Sequence, residues 1–462
     1  MAHPTVVLLA AGLSLNLVGD RLPSLRRFAR ACGGVRPLLP DLPAVTCTVQ
    51  SSMLTGLPPG RHGAVANGWY ERDSAEIRFW RQSNRLVQGE KVWETAARRD
   101  PTVTTANLFW WFDMYSGATY AVTPRPMYPA DGRKIPDVWT QPPEWRDLMQ
   151  SRLGRFPLFH FWGPASDIRS TTWIAGCAME AWRLARPTLT LVYLPHMDYC
   201  LQKSGPAGAE IPRELRELDR QLDVLLEFFQ KEGVRPIVVS EYGIEPVTTP
   251  VPLNLVLRRE GLLRLRMELG REQLDAGASA AFAVVDHQVA HVYLERPEDV
   301  TIHERVAAIL RQTPGVEQVL DRAAQESLGL AHARSGDFLC VAAPGHWFSY
   351  GWWEDPARAP DYARTVDIHR KPGYDPCELI LDPALRLPWF RTRWTLLKRA
   401  LGLRSLMEVI PLDASLVRGS HGRVEVARGF EPLLIADNRH LPDDERLHCR
   451  RVRDVILSHL FD

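Results

Sequence analysis

Short apolar runs alternate with longer amphipathic ones along most of the chain. Thr5 to Ala10, Leu189 to Leu194, Pro236 to Ser240 and Phe338 to Ala342 are continuous and apolar, the pattern of strands buried on both faces. Between them, Leu22 to Ala31 sets Leu22, Leu25, Phe28 and Ala29 on one helical face. Pro212 to Lys231 does the same with Leu215, Leu218, Leu222, Leu225 and Phe228. Lys91 to Arg99 and Val300 to Thr313 read as helices, Thr102 to Trp110 and Val316 to Leu320 as strands, and Ala281 to Leu294 as strand segments around a turn. Strands alternating with helices predict an α/β fold whose central sheet is mostly parallel and flanked by helices. Ligands bind such sheets beyond the carboxyl ends of the strands. The loops after Leu9, Leu194 and Val239 are therefore expected to converge.

One domain over 1–462 is expected, with an inserted α+β cap at 250–335 and an irregular excursion at 343–405. The excursion is rich in Pro, Trp, Tyr and Asp up to about residue 395 and closes on a basic helical stretch, Trp394 to Ser405. Composition is ordinary for a globular chain, with 45% hydrophobic and 24% charged residues. The net charge of +1 supplies no global field for nucleic acid, and no nucleic-acid motif is present. Seven cysteines, an odd number without a C-x-x-C pair, indicate neither a disulfide framework nor a zinc ribbon. Reduced thiols and a cytoplasmic location are the expectation. Val6 to Gly12 is apolar, but only His3 precedes it as a basic group, so it reads as a first strand rather than a signal sequence. No run of about 18 apolar residues occurs, and no membrane span is expected.

The chemistry centres on Thr46. Thr46 to Leu54 reads as a helix stopped by Thr55-Gly56-Leu57-Pro58-Pro59-Gly60. A hydroxyl at a helix N-terminus sits where the dipole and free N–H groups favour an anion. Thr46 as a plain N-cap is the alternative, and Thr48 the alternative hydroxyl. His62 reads as a turn-holding residue. With Thr46, Thr55-Gly56, Pro58, His62-Gly63 and Asn67 at their spacings, the segment resembles nucleotide pyrophosphatase/phosphodiesterases and phosphonoacetate hydrolases of the alkaline-phosphatase superfamily. The resemblance implies an alkaline-phosphatase-like fold, a threonine nucleophile at Thr46 and an amide at Asn67 that contacts a phosphoryl oxygen. It also implies a small phosphorylated or phosphonate substrate and two zinc-type ions.

The metal ligands are where the chain departs from that pattern. Ala11 stands where the family has Asp after the first strand, and alanine has no donor. Asp198 is kept, Gln202 replaces the histidine four residues on, and Glu241-Tyr242 replaces Asp-His. His421-Gly422 is intact. The implied ligand set shrinks to Asp198, Glu241 and His421 beside Thr46, with Gln202 and Tyr242 as lesser candidates. His287, His291, Asp367 and His369 are candidates for compensating ligands or supporting positions. Imidazole with carboxylate suits one divalent ion or a remodelled pair, Zn²⁺ or Mn²⁺.

Two functional classes follow. One is a metal-assisted hydrolase of phosphodiester, pyrophosphate or phosphonate bonds. The other is a degenerate member that keeps a phosphate-ester pocket without turnover. A sulfatase-like activity is disfavoured, because position 46 is Thr, position 50 is Gln, and Cys47 is offset by one. Aromatic segments around Trp69, Trp80, Trp110 and Trp352 suit either core packing or a base or lipid pocket. Residues 391–404 are cationic and amphipathic, which suits peripheral contact with an anionic membrane; a solvated helix packed on the body is the alternative.

Overall fold

The computed structural model describes residues 2–130, 133–403, 405–442 and 444–462. Its central sheet has nine strands. Five run parallel in the order Arg235–Val239, Thr5–Ala10, Leu189–Leu194, Thr105–Leu108 and Tyr120–Pro124. Leu433–Ile435 and Val138–Gln141 flank this block in antiparallel sense, and Arg36–Leu39 and Leu447–His448 extend the first edge. All six residues of Thr5–Ala10 are buried, as a strand covered on both faces requires. Helix Ile211–Lys231 packs on Pro23–Cys32 and Ile168–Ala185, while Val452–Phe461 packs on Thr46–Thr55 and Val92–Arg99. The predicted α/β architecture is the one observed.

A second, antiparallel sheet joins Ala281–Asp286, Val289–Leu294, Phe338–Ala342 and Val316–Leu320 in that order. It carries its own core, built on Phe282, Tyr293, Phe338 and Trp352. The sheet runs past residue 335 to Ala342.

Several boundaries differ from the sequence expectation for local reasons. The strand expected over Thr102 to Trp110 is confined to Thr105–Leu108, because Phe109 takes φ 70° and leaves the extended region. The basic helix begins earlier, at Pro388, and runs to Ala400. Proline at a first helical position loses no hydrogen bond, and Gly402 at φ 77° turns the chain after the helix. Arg404, the last residue of the predicted cationic stretch, lies outside the described residues.

Candidate functional site

The loops beyond the parallel strands do converge. After Thr5–Ala10 the chain turns at Gly12, φ 73°, where a Cβ would press on the Asp198 backbone at 3.3 Å. Glycine therefore lets the first loop lie against helix His196–Ser204, which follows strand Leu189–Leu194. Tyr242, three residues beyond strand Arg235–Val239, reaches the same place.

Thr46 is the first residue of helix Thr46–Thr55 and lies on the wall of a cavity of ≈ 1650 Å³. Its Oγ1 is 3.0 Å from the Tyr242 hydroxyl. That hydroxyl donates to Asp198 Oδ1 at 3.2 Å, so the proton of the first bond belongs to Thr46. Gln202 Nε2 donates to the other Asp198 oxygen at 2.8 Å, and Tyr374 donates to Gln202 Oε1 at 2.8 Å. The substitution of glutamine for histidine thus places an amide where it closes a hydrogen-bond chain.

Two imidazoles face this chain. The Tyr242 ring stacks on His421 at 3.6 Å and His287 stacks on Tyr374 at 3.6 Å, while the His421 and His287 rings lie 3.7 Å apart at a 35° tilt. His421 Nδ1 lies 2.8 Å from the Ala44 carbonyl, which can only accept, so this nitrogen carries the proton. His287 Nδ1 lies 2.7 Å from Asp286 Oδ1. Both Nε2 atoms are buried without a hydrogen-bond partner among the described residues, and that of His421 is 3.7 Å from Asp198 Oδ1. His287 occupies a hairpin turn at φ 61°, a left-handed conformation uncommon outside glycine and asparagine.

Burial pushes the Asp198 carboxyl up to about 7, opposed by its bonds from Gln202 and Tyr242. Burial also raises Glu241 to about 8 and Asp286 to about 6, and drives both imidazoles well below their ordinary range. Such a cluster suits a bound cation, which would offset the cost of charged carboxylates and use the free imidazole lone pairs.

Other candidates sit differently from their expected roles. The Asn67 amide is turned away from the cavity: Oδ1 accepts from Cys47 N at 2.9 Å and Nδ2 donates to Asp286 Oδ1 at 3.1 Å. Asn67 therefore ties the start of the Thr46 helix to the Asp286–His287 pair. His291 uses both ring nitrogens on backbone groups, the Val65 carbonyl and Gly336 N–H, and lies off the cavity wall. Glu241 is fully buried behind the wall, held by Gln50 at 3.4 Å, with one oxygen unpartnered. Asp367 and His369 line the cavity, the first paired with Arg370 at 3.3 Å and the second edge-on to Tyr128. His62 holds its turn as expected, through Ser52 and the Ala64 N–H. Cys47 is buried in apolar packing and its thiol is pushed far up by burial, which agrees with setting aside a cysteine nucleophile. Asp286 and Tyr374 are the site residues the sequence reading left out; both owe their place to the second sheet and the excursion.

The fit of metal ions can be judged from these donors. A second ion, in the position that Ala11 and Tyr242 would have to serve, does not fit. Ala11 offers no donor and the Tyr242 hydroxyl is committed to Thr46 and Asp198. One ion has a partial donor set: Asp198 Oδ1 and His421 Nε2 lie 3.7 Å apart, and the nearby His287 Nε2 also lacks a hydrogen-bond partner among the described residues, but the three donor atoms do not all lie within 4.8 Å of one another. Two tighter groups of donors among the described residues, Asp41–His448–Cys449 and His196–Glu214–Glu217, lie off the cavity wall. Arg450 already neutralises Asp41, and Arg213 pairs with Glu214.

A parallel sheet flanked by helices, with a hydroxyl at a helix N-terminus facing imidazoles and a carboxylate, defines an alkaline-phosphatase-like protein. The chain belongs to the type I phosphodiesterase / nucleotide pyrophosphatase family, whose model matches residues 5–375. An uncharacterized pyrophosphatase/phosphodiesterase of Schizosaccharomyces pombe is 24% identical over 240 residues, covering 49% of this chain and 41% of that protein. An ectonucleotide pyrophosphatase/phosphodiesterase of Caenorhabditis elegans is 21% identical over 283 residues, 59% of this chain and 32% of that one. The aligned regions thus span less than half the length of these relatives. Among solved structures, phosphonoacetate hydrolase from Sinorhizobium meliloti with phosphonoformate superimposes with TM-score 0.61 at 16% identity, over 99% of this chain and 96% of the other. An inactive murine ectonucleotide pyrophosphatase/phosphodiesterase 5 with AMP gives 0.59 at 11% identity, over 99% and 94%.

Proposed function

We propose that the chain hydrolyses a phosphodiester, pyrophosphate or phosphonate bond, with Thr46 as nucleophile and one divalent cation, Zn²⁺ or Mn²⁺, that would be held between Asp198 and His421, with the neighbouring His287 drawn in as a third ligand on binding. The observation that carries this reading is the directed chain from Thr46 through Tyr242 to Asp198 on the cavity wall. It orients the threonine proton towards Tyr242 and leaves the oxygen lone pairs for attack on phosphorus. The helix dipole stabilises the phosphoryl anion at the same atom. The Thr46 oxygen forms the new bond to phosphorus as the bond from phosphorus to the leaving group breaks; its proton passes to the Tyr242 hydroxyl, which gives its own to Asp198, and water then breaks the threonine–phosphorus bond and returns a proton to Thr46. When bound, the cation would neutralise charge developing on the phosphoryl oxygens. Asn67 acts from behind, by fixing the Cys47 backbone beside Thr46.

Turnover of an aryl phosphodiester, measured with Zn²⁺, Mn²⁺ or Mg²⁺ and with a chelator, tests the reading. Thr46→Ala is expected to lower it by roughly a hundredfold or more. Activity indifferent to both the metal and Thr46 overturns the mechanism. Saturable binding of a phosphate ester without any turnover favours the degenerate alternative.

A further inference from the structure

The cavity that starts at Thr46 is large for a phosphoryl group and ends under the basic helix. Ligand pockets for small molecules occupy about 300–1,000 Å³, against ≈ 1650 Å³ here. Most of its wall beyond Thr46 is aromatic and aliphatic, with Trp80, Trp111, Phe161 and Trp162 among the lining residues. Thr392 and Leu396 of helix Pro388–Ala400, followed by Leu403 and Leu406, line its outer part.

The other face of that helix is exposed among the described residues. Phe390, Trp394 and Leu397 recur every three or four residues on it, with Leu387 just before its first turn and Leu401 just after its last. Their exposures run from 48% at Leu397 to 73% at Leu387. Arg391, Arg393 and Lys398 flank the stripe, and the Lys398 ammonium lies 5.7 Å from the Trp394 ring. Tyr128 and Phe159, also exposed, line the cavity. A row of large apolar side chains edged by cations cannot be explained as a solvated surface, because it leaves hydrocarbon in water with nothing gained. It matches a helix lying in the boundary layer of an anionic bilayer, where aliphatic and tryptophan side chains enter the acyl region and arginine and lysine meet the headgroups.

We propose that helix Pro388–Ala400 docks the protein on an anionic lipid surface, from which the cavity takes an amphiphile with a phosphate-bearing head. The head would reach Thr46 while the apolar tail follows the aromatic wall towards the helix. The docking stands without the hydrolase reading; the fate of the head rests on it. The positive edge of the stripe favours an anionic surface over a second copy of this chain, which would bring the same cations face to face.

Sedimentation with phosphatidylcholine vesicles, and with vesicles of equal parts phosphatidylcholine and phosphatidylglycerol, tests the docking. The parent protein is expected to bind the anionic vesicles at least about tenfold more tightly, with affinity falling as salt rises. Phe390→Ser with Trp394→Ser, both exposed and off the cavity wall, is expected to lose that binding by at least about tenfold while aryl phosphodiester turnover in solution is unchanged. A second arm follows an alkyl-chain phosphodiester. The parent should turn it over faster in anionic vesicles than in solution, and the double variant should lose the difference. Equal sedimentation of parent and variant overturns the proposal. So does a parent that is dimeric through this stripe and ignores vesicles. Vesicle binding with no turnover of either ester would instead sink the hydrolase reading and leave the docking standing.

Discussion

The Tyr242 hydroxyl lies 3.0 Å from Thr46 Oγ1, at the position where the wider pattern carries a metal-binding imidazole. A phenol there cannot replace imidazole as a ready ligand, since burial raises its pKa far above the ordinary value. It can hold a hydroxyl group. Tyr242→Phe keeps the ring stacked on His421 and removes the bonds to Thr46 and Asp198. Turnover of the aryl phosphodiester is expected to fall about 10- to 100-fold with KM little changed, the loss of a hydrogen bond to a charged group. An unchanged kcat would show that the bond has no part in the reaction.

The His287 and His421 side chains present free Nε2 atoms with Nδ1 committed elsewhere. His287→Ala and His421→Ala should each weaken Zn²⁺ binding by at least about tenfold in titration calorimetry. Asp286→Asn acts one step further out, by weakening its hold on His287, and should cost about 10- to 100-fold. His291→Ala should leave the metal affinity alone.

Burial lowers the His62 imidazole from 6.5 to about 3. The folded protein therefore keeps it neutral, while the unfolded chain protonates it below pH 6.5. The unfolded state binds the extra proton, so this residue contributes stability above pH 6.5 that is lost as pH falls towards about 3. The slope from this one group is about 1.4 kcal/mol per pH unit. His62→Asn retains an acceptor for the Ala64 N–H and should flatten the pH dependence of urea unfolding over that range.

Leu191 is fully buried in a central strand between Thr5–Ala10 and Thr105–Leu108. Leu191→Ala leaves a cavity that flanking strands on both sides prevent from collapsing. A loss of about 2–5 kcal/mol is expected in denaturant unfolding, without a change in the metal affinity.

The strands, the amphipathic helices and the segment from Thr46 to Gly63 were legible because each is a local pattern. Apolar periodicity records burial, and the spacing of hydroxyl, glycine and histidine records one helix and the turn after it. Convergence of the loops after Leu9, Leu194 and Val239 also followed, since a parallel sheet puts those ends on one side. The tertiary structure alone decided where the side chains point. Asn67 turns to Asp286, His291 to the Val65 carbonyl, and His287, from a distant hairpin, to the face of His421. Residues of one type and similar spacing were divided by partners hundreds of positions away. A hydrogen bond depends on distance and direction in space, and neither is written in the order of residues along the chain.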